Sequence, residues 1–419
     1  MLLCCLAHVP LRLLACNSMA RSQPKDRPVL ILTAGMGAGH NGVASELQRR
    51  LEAAGQRVDV IDVLDVLPLW LGRLVKGFYS AMIRYAPWLY DLIYRFWFRP
   101  SPKTRGPVSP VTAPIQRHVS RWITEFEPPV VVSTFHLCTQ VIGTLRQSGV
   151  LQAPAVSVIV DVAVHRLWIH PGIDHNLCFH PAAAAQALLQ SHSPASAPGP
   201  VVRPAFTHPE WDRASARASL GLTEDEQVVL VVGGSWGVGQ VQETASLLAS
   251  SDHLVGMVVC GHNQRLYRQF RDQQGLMAFG WVEDMARLMM AADAVVDNAG
   301  GLTCMEALAS GAPVVAFRPL PGHGRANIET MAAAGIVLHV QGANELVQAL
   351  ATVVHDSPER QQLQKAAASM FADDSARVIR SLADGVIVPR RPHLNQAPSL
   401  RLPWGSSSRV SPTRRRKGL

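Results

Sequence analysis

The chain has 419 residues, enough for two domains, and its 48% hydrophobic and 17% charged residues mark it as globular rather than disordered. Its formal charge of +8 resides in residues 389–419, which hold eight Lys and Arg and no acid. The rest is neutral, which argues against a nucleic-acid-binding face, and no run of about 20 apolar residues exists to span a bilayer. Seven scattered cysteines without a C-x-x-C pair suit a reducing compartment.

Residues 1–27 read as a disordered N-terminal extension. Pro10 and Arg12 interrupt its apolar run and argue against an export signal, and Met19 is an alternative start. The first regular unit begins at Pro28 with a buried strand, 29–33, a glycine-rich turn, a helix to about Ala54 and a strand, 58–63. This β-loop-α-β order seeds a parallel sheet. Within the turn, Gly37, Gly39 and Gly42 fit the dinucleotide fingerprint, with Asp62 where a ribose-binding acid would sit. His40 and Asn41 open the helix, where the dipole disfavours imidazolium; His40 is therefore a candidate general base, the other reading being a helix cap.

Residues 69–99 hold four of the five tyrosines, with Phe78 and Tyr79 among many aromatics and interleaved arginines. Leu71, Leu74, Val75, Phe78 and Met82 recur at helical spacing. A membrane interface or lipid groove and a helix packed on the first domain both fit. Strands follow at 130–133 and 156–160. Asp161 ends the second, with His165 and Trp168 in the next loop. Asp161, His165, His170, Asp174 and His175 invite a metal reading, but none shows the H-x-x-x-H spacing of a zinc helix.

An Ala-, Ser- and Pro-rich stretch, 181–209, marks the boundary between a domain at 28–205 and a second at 206–388. The pattern restarts with a strand at 228–232 and the turn Gly233-Gly234-Ser235, then strands at 255–260 and 294–296. Gly300-Gly301 precedes Leu302, Thr303 and a helix bearing Glu306. Such a turn suits a diphosphate, with Glu306 on a ribose diol; Thr303-x-x-Glu306 is equally an ordinary capping box. A strand at 313–317, a loop containing Pro321, Gly322 and His323, and then Asn327 complete the segment. Two α/β units with glycine turns imply a cleft between them.

Taken together these residues resemble the galactosyl- and glucosyl-diacylglycerol synthases, relatives of the peptidoglycan N-acetylglucosaminyltransferases, from about Pro28 to Gly335. Gly37, Gly39 and His40 match a G-x-G-H turn; Asp161, His165 and Trp168 match D-x-x-x-H-x-x-W. The donor half is carried by Gly233-Gly234, Cys260-Gly261-His262-Asn263, Trp281, Val282, Met285, Gly300 to Thr303, Glu306, Pro321-Gly322 and Asn327. The resemblance implies an α/β fold of two Rossmann-like domains facing a cleft, the GT-B glycosyltransferase architecture. It implies inverting transfer of a hexosyl or N-acetylhexosaminyl unit from a UDP-sugar to a lipid hydroxyl, with no cofactor or metal and with no nucleic-acid partner.

In that scheme His40 is the base and Asp161 orients the acceptor or assists. Gly37, Gly39, Asn41, Phe78, Tyr79, His165 and Trp168 meet the acceptor; the donor residues include Ser235 and His323. His323-Gly324 replaces the family's Gln-Glu, which bears on the choice of sugar. The expected location is the cytoplasmic face of an anionic membrane, held peripherally. An NAD- or FAD-dependent oxidoreductase using Gly37, Gly39, Gly42 and Asp62, a UDP-sugar epimerase of the same architecture and a non-catalytic membrane-binding protein are the competing readings.

Overall fold

A computed structural model describes residues 27–36, 38–66, 69–98, 112–191, 193–234 and 239–386. The expected N-terminal extension, Gly37, Ser235 and the basic tail lie outside them. The first unit runs β1 (Val29–Thr33), α1 (Ala38–Ala53), β2 (Val58–Asp62), α2 (Leu69–Tyr85), α3 (Pro87–Ile93), a π-helical turn (Tyr94–Phe98), α4 (Thr112–Phe126), β3 (Val131–Ser133), α5 (His136–Gln147), β4 (Ala155–Ile159), β5 (His175–Cys178), α6 (Pro181–Ser191) and β6 (Ala195–Ser196). Its six strands are parallel, in the order β2-β1-β3-β4-β5-β6.

The second unit follows α7 (Pro204–Thr207) and α8 (Arg213–Ser219). It runs β7 (Gln227–Val232), α9 (Val241–Ala249), β8 (Leu254–Val259), α10 (Gln264–Phe270), β9 (Leu276–Phe279), α11 (Met285–Ala291), β10 (Ala294–Asp297), α12 (Leu302–Ala309), β11 (Val314–Phe317), α13 (His323–Ala333), β12 (Leu338–Val340), α14 (Ala343–Val353), α15 (Pro358–Ala368) and α16 (Ser375–Ala383). Its parallel order is β12-β11-β10-β7-β8-β9.

Strands β1, β4 and β10 are buried along their whole length, because helices cover both faces of a parallel sheet. That is why the strands read in sequence as unbroken apolar runs instead of alternating patterns. The Ala- and Pro-rich stretch is less of a linker than its composition implied: its first half forms α6 and β6, which complete the first sheet. Alanine is an excellent helix former, so five alanines in 181–191 favour ordered helix.

The units are packed together, not merely tethered. Ile31, Val43, Val228 and Ile328 belong to one continuous apolar cluster. At one end of the joint, Arg50 on α1 reaches Asp374 at 2.9 Å and the Val202 carbonyl at 2.6 Å, tying the entry of α16 to the first unit. At the other end, Asn327 on α13 is 1% exposed and bridges the units with its whole amide. Its Nδ2 donates to Asp161 at 2.8 Å and its Oδ1 accepts from the Ala163 amide at 2.9 Å.

Between them, α1 meets α12 so closely that a Cβ on Gly42 would lie 2.8 Å from Leu302 Cδ2. Gly42 serves this approach, a packing role that its place in a nucleotide fingerprint did not imply. Asn327→Ala leaves a buried carboxylate and amide without these partners. It is expected to cost about 1–3 kcal/mol of unfolding free energy, read by urea denaturation with intrinsic tryptophan fluorescence.

Candidate active site

Each sheet reverses its strand order once, between β1 and β3 in the first and between β7 and β10 in the second. Ligands of open parallel sheets bind outside the carboxyl ends of the strands at such reversals. Here both reversals open into one cavity of about 860 Å³ between the units.

The first side is built by the loops after β1, β3 and β4. His40, in the first turn of α1, has Nδ1 2.9 Å from the Thr134 carbonyl. A carbonyl can only accept, so Nδ1 carries the proton and Nε2 is left with its lone pair. Burial lowers the His40 pKa, with the nearby Asp161 charge acting in the opposite direction. The ring also stands edge-on to Phe135, 4.9 Å between centroids. His40 is thus a held, neutral imidazole lining the cavity. It bonds to the loop after β3, which is more than a cap for its own helix.

Asp161 accepts from Trp168 Nε1 at 2.7 Å and from Asn327 Nδ2 at 2.8 Å, with His165 Nε2 at 3.4 Å. Burial opposes its ionisation, but the His165 hydrogen bond and charge prevail and hold the carboxyl well below the usual carboxylate range. An anion held so firmly is a poor proton acceptor and a good electrostatic anchor. Trp168, fully buried, buttresses Asp161 and does not line the cavity. Asn41 likewise turns away, accepting from Thr33 Oγ1 at 3.0 Å. Gly39, Phe78, Tyr79 and His165 do line it.

The second side centres on α12. Asp297, at the end of β10, accepts the amides of Ala299 at 3.0 Å and Gly300 at 2.6 Å, shaping the turn. Gly301, not Thr303, is the N-cap of α12, and no side chain caps it. The capping-box reading therefore fails: Thr303 and Glu306 lie inside the helix, and Gly301, Leu302 and Thr303, at its N-terminus, line the cavity. Such an uncapped N-terminus is suited to an anion.

Glu306 lines the same cavity without a hydrogen bond to its carboxylate among the described residues; Arg203 stands 3.9 Å away. Burial pushes its pKa up to about 7, against the lowering charge of Arg203. Gly233, Gly234, Gly261, Trp281, Val282, Met285 and His323 complete this wall. The Trp281 indole lies parallel to the His262 ring, 4.4 Å between centroids. Asn263 instead caps α10 by accepting the Leu266 amide, and Gly300, Pro321, Gly322 and Asn327 are not among the lining residues.

Two competing sequence readings lose their geometry. Asp62 accepts the amides of Gly35 and Leu64, both at 2.9 Å, so it shapes the glycine turn and is not aimed at a ribose. The suspected metal group is dispersed: Asp174 pairs with Arg146, His175 with Ser196, and His170 packs beside Thr144. Sequence reasoning passed over His136 and Arg203. His136 lies at the carboxyl end of β3, a strand only three residues long, and the strand-end rule alone would have marked it.

Comparisons with known proteins agree with this geometry. Residues 40–201 match the family model for monogalactosyldiacylglycerol (MGDG) synthase, and residues 212–370 the model for glycosyl transferases group 1. The chain is a GT-B glycosyltransferase. It joins an MGDG-synthase domain to a group 1 glycosyltransferase domain, as the motifs implied. It is 23% identical over 363 residues to the processive diacylglycerol beta-glucosyltransferase of Bacillus licheniformis, covering 84% of this chain and 94% of that protein. Among solved structures, the glycotransferase of kitacinnamycin aligns with a TM-score of 0.58 at 16% identity, over 86% of this chain and 99% of that one. MurG of Acinetobacter baumannii aligns at 0.54 and 18%, over 86% and 99%. These two share the fold.

The raised pKa of Glu306 has a sign that can be checked. The folded protein holds the carboxyl proton up to about pH 7, whereas the unfolded chain releases it near the ordinary value of 4.5. Stability conferred by the neutral form is present below 4.5 and lost as pH rises through 7. Glu306→Gln, which cannot ionise, is expected to be more stable than the parent at pH 8 by about 1–3 kcal/mol and nearly equal at pH 4. Thermal unfolding at both values reads the difference.

Proposed function

We propose that the protein transfers a hexosyl or N-acetylhexosaminyl unit from a UDP-sugar to the hydroxyl of a diacylglycerol-like lipid, inverting the anomeric centre. The observation that carries this is the pairing of His40, whose Nε2 is free, with the bare N-terminus of α12 in one cavity. The relative's name supplies the acceptor and sugar class.

The donor diphosphate takes the amides of Gly301 to Thr303, and the ribose diol donates to Glu306. His40 Nε2 removes the acceptor hydroxyl proton as the acceptor oxygen bonds to the anomeric carbon. The bond from that carbon to the diphosphate oxygen breaks, and its electron pair leaves with UDP. The α12 dipole takes up the growing negative charge, so the reading calls for no metal. Asp161 stabilises the imidazolium that forms. Attack from the face opposite the leaving diphosphate gives inversion.

The acceptor side has a matching entrance. Met82 and Tyr90 are buried and line the cavity, while Leu74, Phe78, Tyr85, Trp88, Leu92 and Phe96 expose apolar surface on the same short segment. The buried rings fit a helix packed on the first unit, and the exposed ones support the membrane-interface reading. Exposed rings of this kind insert at a membrane interface, so peripheral attachment to an anionic cytoplasmic surface completes the proposal. No helix among the described residues is long and apolar enough to cross a membrane.

In an assay of UDP-hexose transfer to diacylglycerol in EDTA, His40→Ala is expected to lower kcat by about 10²–10⁴-fold with UDP affinity unchanged. The acid limb of the parent rate profile should lie below pH 6.5, since burial lowers the His40 pKa. Full activity in His40→Ala rejects the base assignment. Separately, Trp88→Ser with Phe96→Ser is expected to weaken co-sedimentation with anionic vesicles by about tenfold while activity on a soluble short-chain acceptor persists. Unchanged sedimentation rejects the attachment site.

A further inference from the structure

The first unit, which supplies the base, also reaches across the cleft and braces the wall assigned above to the donor. Helix α3 begins with Pro87 at its first position and presents Tyr90 and Asp91 to the loop before α13. The Tyr90 hydroxyl lies 2.6 Å from His323 Nδ1, and the two rings stand edge to face, 5.6 Å apart at 88°. Beside them the Gly322 amide donates to Asp91 Oδ1 at 3.1 Å. Gly322 has φ +76°, and a Cβ there would lie 2.6 Å from Tyr90 Cε1. Only a glycine lets the Tyr90 ring lie against this turn.

His323 is the first residue of α13 and lines the cavity together with Tyr79 and Tyr90. His40, Asp161, His165 and the Gly301 to Thr303 turn line the same cavity. In the donor reading the transferred sugar occupies that space. Burial lowers the His323 pKa and raises that of Tyr90, keeping both neutral. A neutral imidazole has one N–H and one lone pair. With Nδ1 committed to the Tyr90 hydroxyl, Nε2 is the nitrogen left for a ligand.

We propose that Tyr90 is a positioning residue for donor-sugar selectivity: through the hydrogen bond to His323 Nδ1 it fixes how His323 Nε2 meets a hydroxyl of the hexose. The inference rests on the UDP-sugar reading of the cleft and deepens it. Hexoses that differ only in the axial or equatorial setting of one hydroxyl are distinguished by a single directed hydrogen bond, and the element that directs it comes from the acceptor side. Removing Tyr90 leaves His323 free to change tautomer and tilt. The nucleotide, held by α12 and Glu306, is untouched.

The test compares kcat/KM for UDP-glucose and UDP-galactose in the parent, Tyr90→Phe, His323→Ala and the double variant, with UDP affinity by calorimetry and thermal unfolding as controls. Tyr90→Phe is expected to change the ratio of the two donors by about three- to tenfold, the value of one neutral hydrogen bond, with UDP affinity unchanged. In the His323→Ala background the same substitution is expected to add nothing. Gly322→Ala, which displaces the Tyr90 ring, should shift the ratio in the same direction.

An unchanged ratio in Tyr90→Phe, or an equal change with and without His323, overturns the proposal. A parent protein that neither binds UDP nor uses either sugar overturns the donor reading instead.

Discussion

The working geometry depends on one side chain, Asn327. A primary amide has one donor face and one acceptor face, and here both are used across the joint between the units: Nδ2 on Asp161, Oδ1 on the Ala163 amide. That brings the carboxyl end of β4 against α13. Gly42 lets α1 approach α12 near the same joint. The two strand-order reversals, each harmless alone, are made to face one another.

What the cavity holds is unusual for an apolar interior. His40 and Asp161 are partly buried and Glu306 is buried, and each is treated differently by its surroundings. Asp161 is saturated with donors and stays charged; His40 is held by a carbonyl and stays neutral; Glu306 has only a distant arginine and titrates near neutrality. Of the three only Glu306 lacks a close partner, so its charge, as it develops with rising pH, opposes folding.

Much of this was legible in the sequence, and the exceptions have physical causes. Fully buried parallel strands announce themselves as apolar runs, so β1, β4, β7 and β10 were plain, and glycine turns at their ends marked His40 and Gly301. The capping box was a false signal because sequence spacing does not reveal which residue leaves helical geometry; Gly301 does so, two residues before Thr303. Asn41, Trp168, Asn263 and Asn327 were placed on ligands because motif matching finds positions and not directions. Their polar atoms in fact fasten the scaffold. The Tyr90–His323 contact joins residues more than two hundred positions apart and left no trace in either local pattern.

In the proposed reaction the nucleotide-sugar binds on the α12 side with its anomeric carbon turned toward His40. A crystal structure with an unreactive UDP-hexose analogue tests it most directly. The expected result is the diphosphate on the amides of Gly301 to Thr303, the ribose diol on Glu306, and the hexose between His323 and His40. A diphosphate bound instead to the glycine turn that follows β1 would contradict it.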